Sequence, residues 1–151
     1  SLAHRQQTTE ARGLDALGVP ELEVGIPAMG EEERESIQVV ADQRLSARLM
    51  VWARMSARDV ARCRGLRVDM VDLSLPVSDQ QLARKLGRTA TEPSNGSAGS
   101  SGRQDLGLAV CVGAEDASRA DPEFLWRVAE TAQRAGAQRF RFADTVGLVI
   151  E

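Results

Sequence analysis

The sequence predicts an α/β fold built on a parallel sheet, an interior piece of a (β/α)8 barrel. Apolar, strand-like runs begin near positions 22, 48, 69, 108 and 139, and all but the last lead into helical or helix-like sequence. That alternation is the rhythm of βαβ units. A full barrel of eight units needs about 250 residues. The 151 residues present hold room for about five strands.

Each element has its own signal. Leu2–Leu17 reads as a helix closed by Gly18, with Leu14 and Leu17 spaced for one face, although Gln6 to Thr9 suit a core poorly. In residues 21–27, Leu22, Val24 and Ile26 alternate with Glu23 and Gly25, the period of a strand. Glu31, Glu32 and Glu33 occupy a helical first turn, where the dipole favours acids. Ile37, Val40 and Ala41 form that helix's apolar stripe. Arg48–Ala53 is the second strand, and Ser56 caps a short helix that runs to Arg64 and closes at Gly65.

Val68–Leu75 is the third strand, with polar Asp69, Asp72 and Ser74 along it, and Ser78 caps a helical run containing Leu82 and Leu86. The fourth strand, Leu108–Val112, breaks at Gly113 into the charged turn from Glu115 to Arg119. Asp121 and Pro122 then start a helix to Ala135, closed by Gly136. Arg139–Ala143 is the fifth strand, followed by Asp144-Thr145-Val146-Gly147.

One segment departs from the pattern. Arg88 to Gly102 has no apolar residue larger than Ala except Pro93, and reads by composition as a flexible linker. It lies where the barrel requires a helix between the third and fourth strands. Residues 88–105 are therefore an anomalous Ser/Gly-rich replacement for a barrel helix within one domain fragment, 1–151. A slip of reading frame across an amphipathic helix would produce such a string, and a genuine loop is the alternative.

Composition removes several function classes. A net charge of −3, with Arg interspersed among acids, leaves no footprint for nucleic acid. No apolar run approaches the roughly 18 residues of a membrane span, and no signal peptide is recognisable, so a cytoplasmic protein is expected. Cys63 and Cys111 lack metal-type spacing and read as packing residues. The richest chemistry lies between Val110 and Phe124, where carboxylates, a hydroxyl and a guanidinium stand at a strand-to-helix junction. In parallel α/β folds that edge binds ligands. A solvated loop with a good cap is the plainer reading.

Four segments carry a resemblance: LGVPELEVGIP (17–27), MVDLSLPVSD (70–79), EDASRAD (115–121) and RFADTVG (141–147). In this order and spacing they resemble homocitrate synthases, especially the nitrogen-fixation type, and more broadly the metal-dependent Claisen-condensing barrels that include 2-isopropylmalate synthase. The resemblance implies a (β/α)8 barrel of which the second to sixth strands are present and the first and later strands absent. It implies condensation of acetyl-CoA with 2-oxoglutarate to homocitrate and CoA, for the nitrogenase cofactor, by a homodimeric cytoplasmic acyltransferase acting on small molecules. A sister reaction on another 2-oxo acid, or a non-catalytic, partner-dependent fragment, is the alternative.

The family's divalent metal (Mg, Mn or Zn) sits on an Arg-Asp/Glu-Gly-Glu-Gln motif and a His-x-His pair. Neither motif occurs in this sequence, whose one histidine is His4, so the chain alone is expected to be inactive.

The resemblance also assigns residues. Glu115 matches a strand-end glutamate near the acetyl-CoA reaction centre and is the catalytic candidate. Glu23 matches an acidic position on the active-site floor, its alternative an edge-strand glutamate; lying between Leu22 and Val24, it is expected to be buried. Thr145 matches the threonine whose hydroxyl holds a substrate carboxylate. Asp72 and Arg54 are further substrate-binding candidates. Cys111 stands where the lysine-pathway enzymes carry an arginine that grips the distal carboxylate, so with 2-oxoglutarate as substrate another cation must do that work. Ser118 and Arg119 are expected to order their loop through Asp116 or Asp121.

Overall fold

In the computed structural model of the chain, which describes residues 2–78 and 106–144, five strands lie side by side in chain order. They are β1 (Glu21–Glu23), β2 (Arg48–Arg54), β3 (Met70–Pro76), β4 (Ala109–Glu115) and β5 (Arg139–Ala143). Every neighbouring pair is parallel. The helices are α1 (Leu2–Ala16), α2 (Glu31–Ala41), α3 (Ala57–Cys63) and α4 (Pro122–Arg134). No helix among the described residues is long and apolar enough to cross a membrane.

Strand alternation sorts the side chains onto two faces. Leu49, Val51 and Ala53 of β2, Val71 and Leu73 of β3, and Val110 and Val112 of β4 point outward and meet Ile37, Val40, Cys63 and Ala132 in the main core. Burying side chains such as Ile37 and Val71 contributes about 1.5–3 kcal/mol each. The other face carries a small apolar floor, Met50, Met70 and Cys111. Above it the face is polar apart from the half-buried Trp52 of β2, level with Asp72.

The sheet is rolled toward that polar face. Arg139 of β5 forms a forked ion pair with Glu21 of β1, with Nη2 3.0 Å from Oε2, although three strands separate the two in the sheet. A flat sheet would hold those strands four inter-strand spacings apart, about 19 Å. The five strands are thus part of a barrel wall, as the strand rhythm predicts.

Local chemistry explains most boundaries. The Ser56 hydroxyl accepts from the Asp59 N–H at 3.2 Å to cap α3. The Asp121 carboxylate accepts from the Phe124 N–H at 2.8 Å at the start of α4, with Pro122 in the first turn. Three expectations are corrected. Leu14 and Leu17 do not form an apolar docking face, being exposed. Helix α1 instead buries Ala11 and docks by polar contacts, Gln7 Nε2 donating to Val24 O (2.8 Å) and Asp15 Oδ1 accepting from the Ala47 N–H (2.7 Å).

The first strand is shorter than residues 21–27. Its ladder continues through Val24 and Gly25, but the Ile26 N–H donates to Glu33 Oε1 of α2 (3.0 Å) and turns the chain away. Gly25 (φ +156°) admits that helix, since a Cβ there would lie 2.8 Å from Ile37 Cγ1. The fourth strand, conversely, is longer. It does not break at Gly113 but runs to Glu115, and the turn comes at Asp116, a non-glycine residue at φ 57°. The helical run after Ser78 and residues 88–105 lie outside the described residues.

The Glu21–Arg139 pair is expected to help hold the roll. Glu21→Gln should lower stability by about 0.5–1 kcal/mol, partial exposure being discounted. Arg139 holds the Glu21 carboxyl below its ordinary range. The loss should therefore be full above the unfolded-state pKa and vanish as pH falls through the folded one. Urea titrations at neutral and acid pH measure both.

Candidate active site

The interior face collects its polar residues from alternate strands, as barrel layers do. Glu23 of β1, Asp72 of β3 and Arg141 of β5 meet at one point. Arg141 Nη1 lies 3.1 Å from Glu23 Oε2 and 2.5 Å from Asp72 Oδ2. Asp72 is almost wholly buried, at 1% exposure, whereas Glu23 remains open to solvent. The burial expected for Glu23 is corrected: its neighbours Leu22 and Val24 face the packed side, and Glu23 turns to the open interior.

Burial pushes the Asp72 carboxyl above its ordinary value, Arg141 opposing that and Glu23 adding to it. Its second oxygen, Oδ1, accepts no hydrogen bond of ordinary geometry among the described residues, and the Cys111 thiol lies close enough to couple with the carboxylate. Burial, then Asp72, pushes that thiol up to about 12, and burial raises Cys63 to about 11. Both thiols are buried and free, in keeping with a packing role.

Next to this trio, the Ser74 hydroxyl of β3 donates to Glu115 Oε1 (3.1 Å) at the carboxyl end of β4. Gly113 lies beneath both groups. A Cβ there would stand 2.7 Å from Asp72 Oδ1 and 3.2 Å from Ser74 Oγ. The glycine that reads as a strand breaker is instead the position over which two polar side chains cross.

The loop after β4 is clasped to the segment after β3. The buried Asp116 accepts from Ser78 Oγ (2.6 Å), and Arg119 Nε lies 3.3 Å from Asp116 Oδ1. The Ser118 hydroxyl donates to Asp144. The Arg119–Asp116 pair matches the role expected of Arg119, whereas Ser118 bonds to Asp144 in place of Asp116 or Asp121; together they anchor the turn that follows Glu115.

The structure thus brings Glu23, Asp72 and Glu115 onto one interior face. Arg54, at the end of β2, is engaged elsewhere. Its Nε donates to Asp59 Oδ2 (2.8 Å) and its Nη2 to Asp59 Oδ1 (3.2 Å), tying the strand end to α3. Thr145 lies outside the described residues. Sequence reasoning missed Arg141 and Ser74. The signal for Arg141 was the alternation Arg139-Phe140-Arg141-Phe142, which puts two guanidinium groups on the face that Glu21-Leu22-Glu23 supplies with two acids.

A divalent metal does not fit the donors present. Among the described residues no group of three or more His, Cys, Asp or Glu is placed to hold one. Glu23 and Asp72 are engaged by Arg141, and His4 lies on α1.

Gly113→Ala should force Asp72 and Ser74 off their seats at a cost of about 1–3 kcal/mol, read as a lower denaturant midpoint. Asp72 supplies a pH test of opposite sign to Glu21. A carboxyl raised on folding binds protons more tightly in the folded state, so it draws stability down as pH rises from the unfolded to the folded pKa. Asp72→Asn removes that slope. The variant should compare better with the parent at pH 7 than at pH 3, and thermal melts at both pH values check it.

The HMGL-like family model matches residues 1–150. The chain is 45% identical over 140 residues to homocitrate synthase 1 of Nostoc sp., a match covering 92% of this chain and 37% of that protein. It is 39% identical over 149 residues to 2-isopropylmalate synthase 2 of Caldanaerobacter subterraneus subsp. tengcongensis, covering 97% of this chain and 38% of that one. The chain therefore spans about two fifths of the length of these curated relatives. The crystal structure of the Bacillus subtilis HMG-CoA lyase superposes with a TM-score of 0.75 at 12% identity, over 97% of this chain and 53% of that one. That likeness is one of fold. Chain-ordered parallel strands rolled about a polar interior, and a family match from end to end, lead to one conclusion: the chain belongs to the HMGL-like family.

Proposed function

We propose that these residues are the substrate-side wall of a homocitrate-synthase-like acyltransferase, which joins the methyl carbon of acetyl-CoA to the keto carbon of 2-oxoglutarate, after which water cleaves the thioester to release homocitrate and CoA. The observation that carries the reading is the placement of Glu115. It stands at the carboxyl end of an interior strand, held by Ser74, in a chain 45% identical to a homocitrate synthase.

Claisen condensation needs a proton removed from the acetyl methyl and negative charge held at the keto oxygen. In this reading Glu115 takes or returns the proton at the reacting carbon, and its hydrogen bond with the Ser74 hydroxyl supports that role. Asp116, clasped by Ser78 and Arg119, fixes the turn that carries it. The interior cation Arg141 stands on the substrate side of the same face. Thr145 remains a proposed carboxylate ligand by resemblance, and Arg54 is better read as an anchor of α3.

The reaction's metal would have to be held outside the donors described here, so no step is routed through it. By itself the 151-residue chain is proposed to be inactive, and the whole protein a cytoplasmic homodimer supplying homocitrate for nitrogenase cofactor assembly. The 39% identity to a 2-isopropylmalate synthase supports a second reading, in which the same chemistry acts on another 2-oxo acid.

The test is release of free thiol from acetyl-CoA with divalent metal, offering 2-oxoglutarate, 2-oxoisovalerate and pyruvate separately to the protein expressed from its own gene. Release with 2-oxoglutarate, reduced at least about a hundredfold by Glu115→Gln, is expected. Preference for 2-oxoisovalerate would establish the second reading. Turnover by residues 1–151 alone would refute the proposed inactivity of the fragment.

A further inference from the structure

Arg139 and Arg141 both turn into the barrel, but their guanidinium groups are used differently. Arg139 places two nitrogens on the two oxygens of Glu21, a saturated fork. Arg141 meets both of its acids through the single nitrogen Nη1. Among the described residues, its Nε and Nη2 donate no hydrogen bond, and the side chain is 46% exposed. Two acids on one nitrogen restrain the guanidinium plane, and the remaining edge keeps two parallel N–H groups in the geometry that a carboxylate accepts.

Burial raises the Asp72 carboxyl above its ordinary value, and Glu23, the other acid on Arg141, is 39% exposed. Cys111, at the strand position level with Asp72, is a buried thiol held neutral and offers an anion little. Arg141 pairs in register with Gly113, two residues before Glu115, and two residues span about 6.6 Å of strand. That is the length scale of a short diacid reaching from the reacting end to the cation.

We propose that the Nε–Nη2 edge of Arg141 binds the carboxylate remote from the reacting carbon of a 2-oxo dicarboxylic acid, with Asp72 and Glu23 as its positioning residues. The inference rests on the acyl-transfer reading above and adds the residue that selects diacids over monoacids.

The test is calorimetric titration of the protein expressed from its own gene with 2-oxoglutarate and with 2-oxopentanoate, which replaces the distal carboxylate with a methyl group. The parent should bind the diacid at least about tenfold more tightly, the scale of one charge-assisted pair. Arg141→Gln should weaken the diacid alone and bring the two ligands to within about threefold. Because that change leaves Asp72 buried without its counter-ion, the double variant Asp72→Asn/Arg141→Gln provides the same comparison with the buried charge removed. Asp72→Asn alone, with the cation kept, should hold or strengthen diacid binding. A parent that binds both acids alike, or an Arg141→Gln protein that is folded and keeps the preference, overturns the inference and leaves acyl transfer standing. A parent that binds neither acid overturns both.

Discussion

The arrangement depends on a carboxylate placed where water cannot reach it. Asp72 lies inside the rolled sheet, and an isolated charge there would cost several kcal/mol. Arg141 answers it from two strands away, which requires the sheet to curl, and the same guanidinium holds Glu23 on the first strand. Gly113 leaves room for the acid, and Met50, Met70 and Cys111 form the dry floor around it. The buried ion pair thus joins the curvature of the sheet, which Glu21 and Arg139 also support, to the polar interior and the orientation of Arg141.

Above that pair the face changes character. Glu115 sits on the rim, where Ser74 from the neighbouring strand and a loop pinned through Asp116 limit its freedom. In the proposed reaction, an orienting contact of this kind would leave little reorganisation for the reacting state. Arg54 contributes to the same rim by another route: it satisfies the buried Asp59 and so fixes the entry to α3.

Much of this was legible in the residues. The order of strands followed from the spacing of apolar runs, and the caps at Ser56 and Asp121 followed from side-chain chemistry. The resemblance placed Glu23, Asp72 and Glu115, and all three reached one face. What escaped were relations between strands. Gly113 looked like a terminator because glycine weakens a strand locally, while its purpose lies in Asp72, 41 positions earlier. Leu14 and Leu17 looked like a docking face because periodicity ignores what the helix docks against, and α1 docks through Gln7 and Asp15. Arg141 was legible only as one of two alternating arginines, and the roll of the sheet set it opposite two acids.

The forked pair between Glu21 and Arg139 joins residues 118 positions apart. A contact that closes so long a loop costs chain entropy before it returns any stabilisation, so it belongs to the last stage of folding, after neighbouring strands have paired. An interaction absent from the folding transition state governs how fast the native state opens and has little influence on how fast it forms. The link between the first and last strands is then a brake on unfolding, and the lifetime of the assembled interior, more than the speed of its assembly, is what that pair sets.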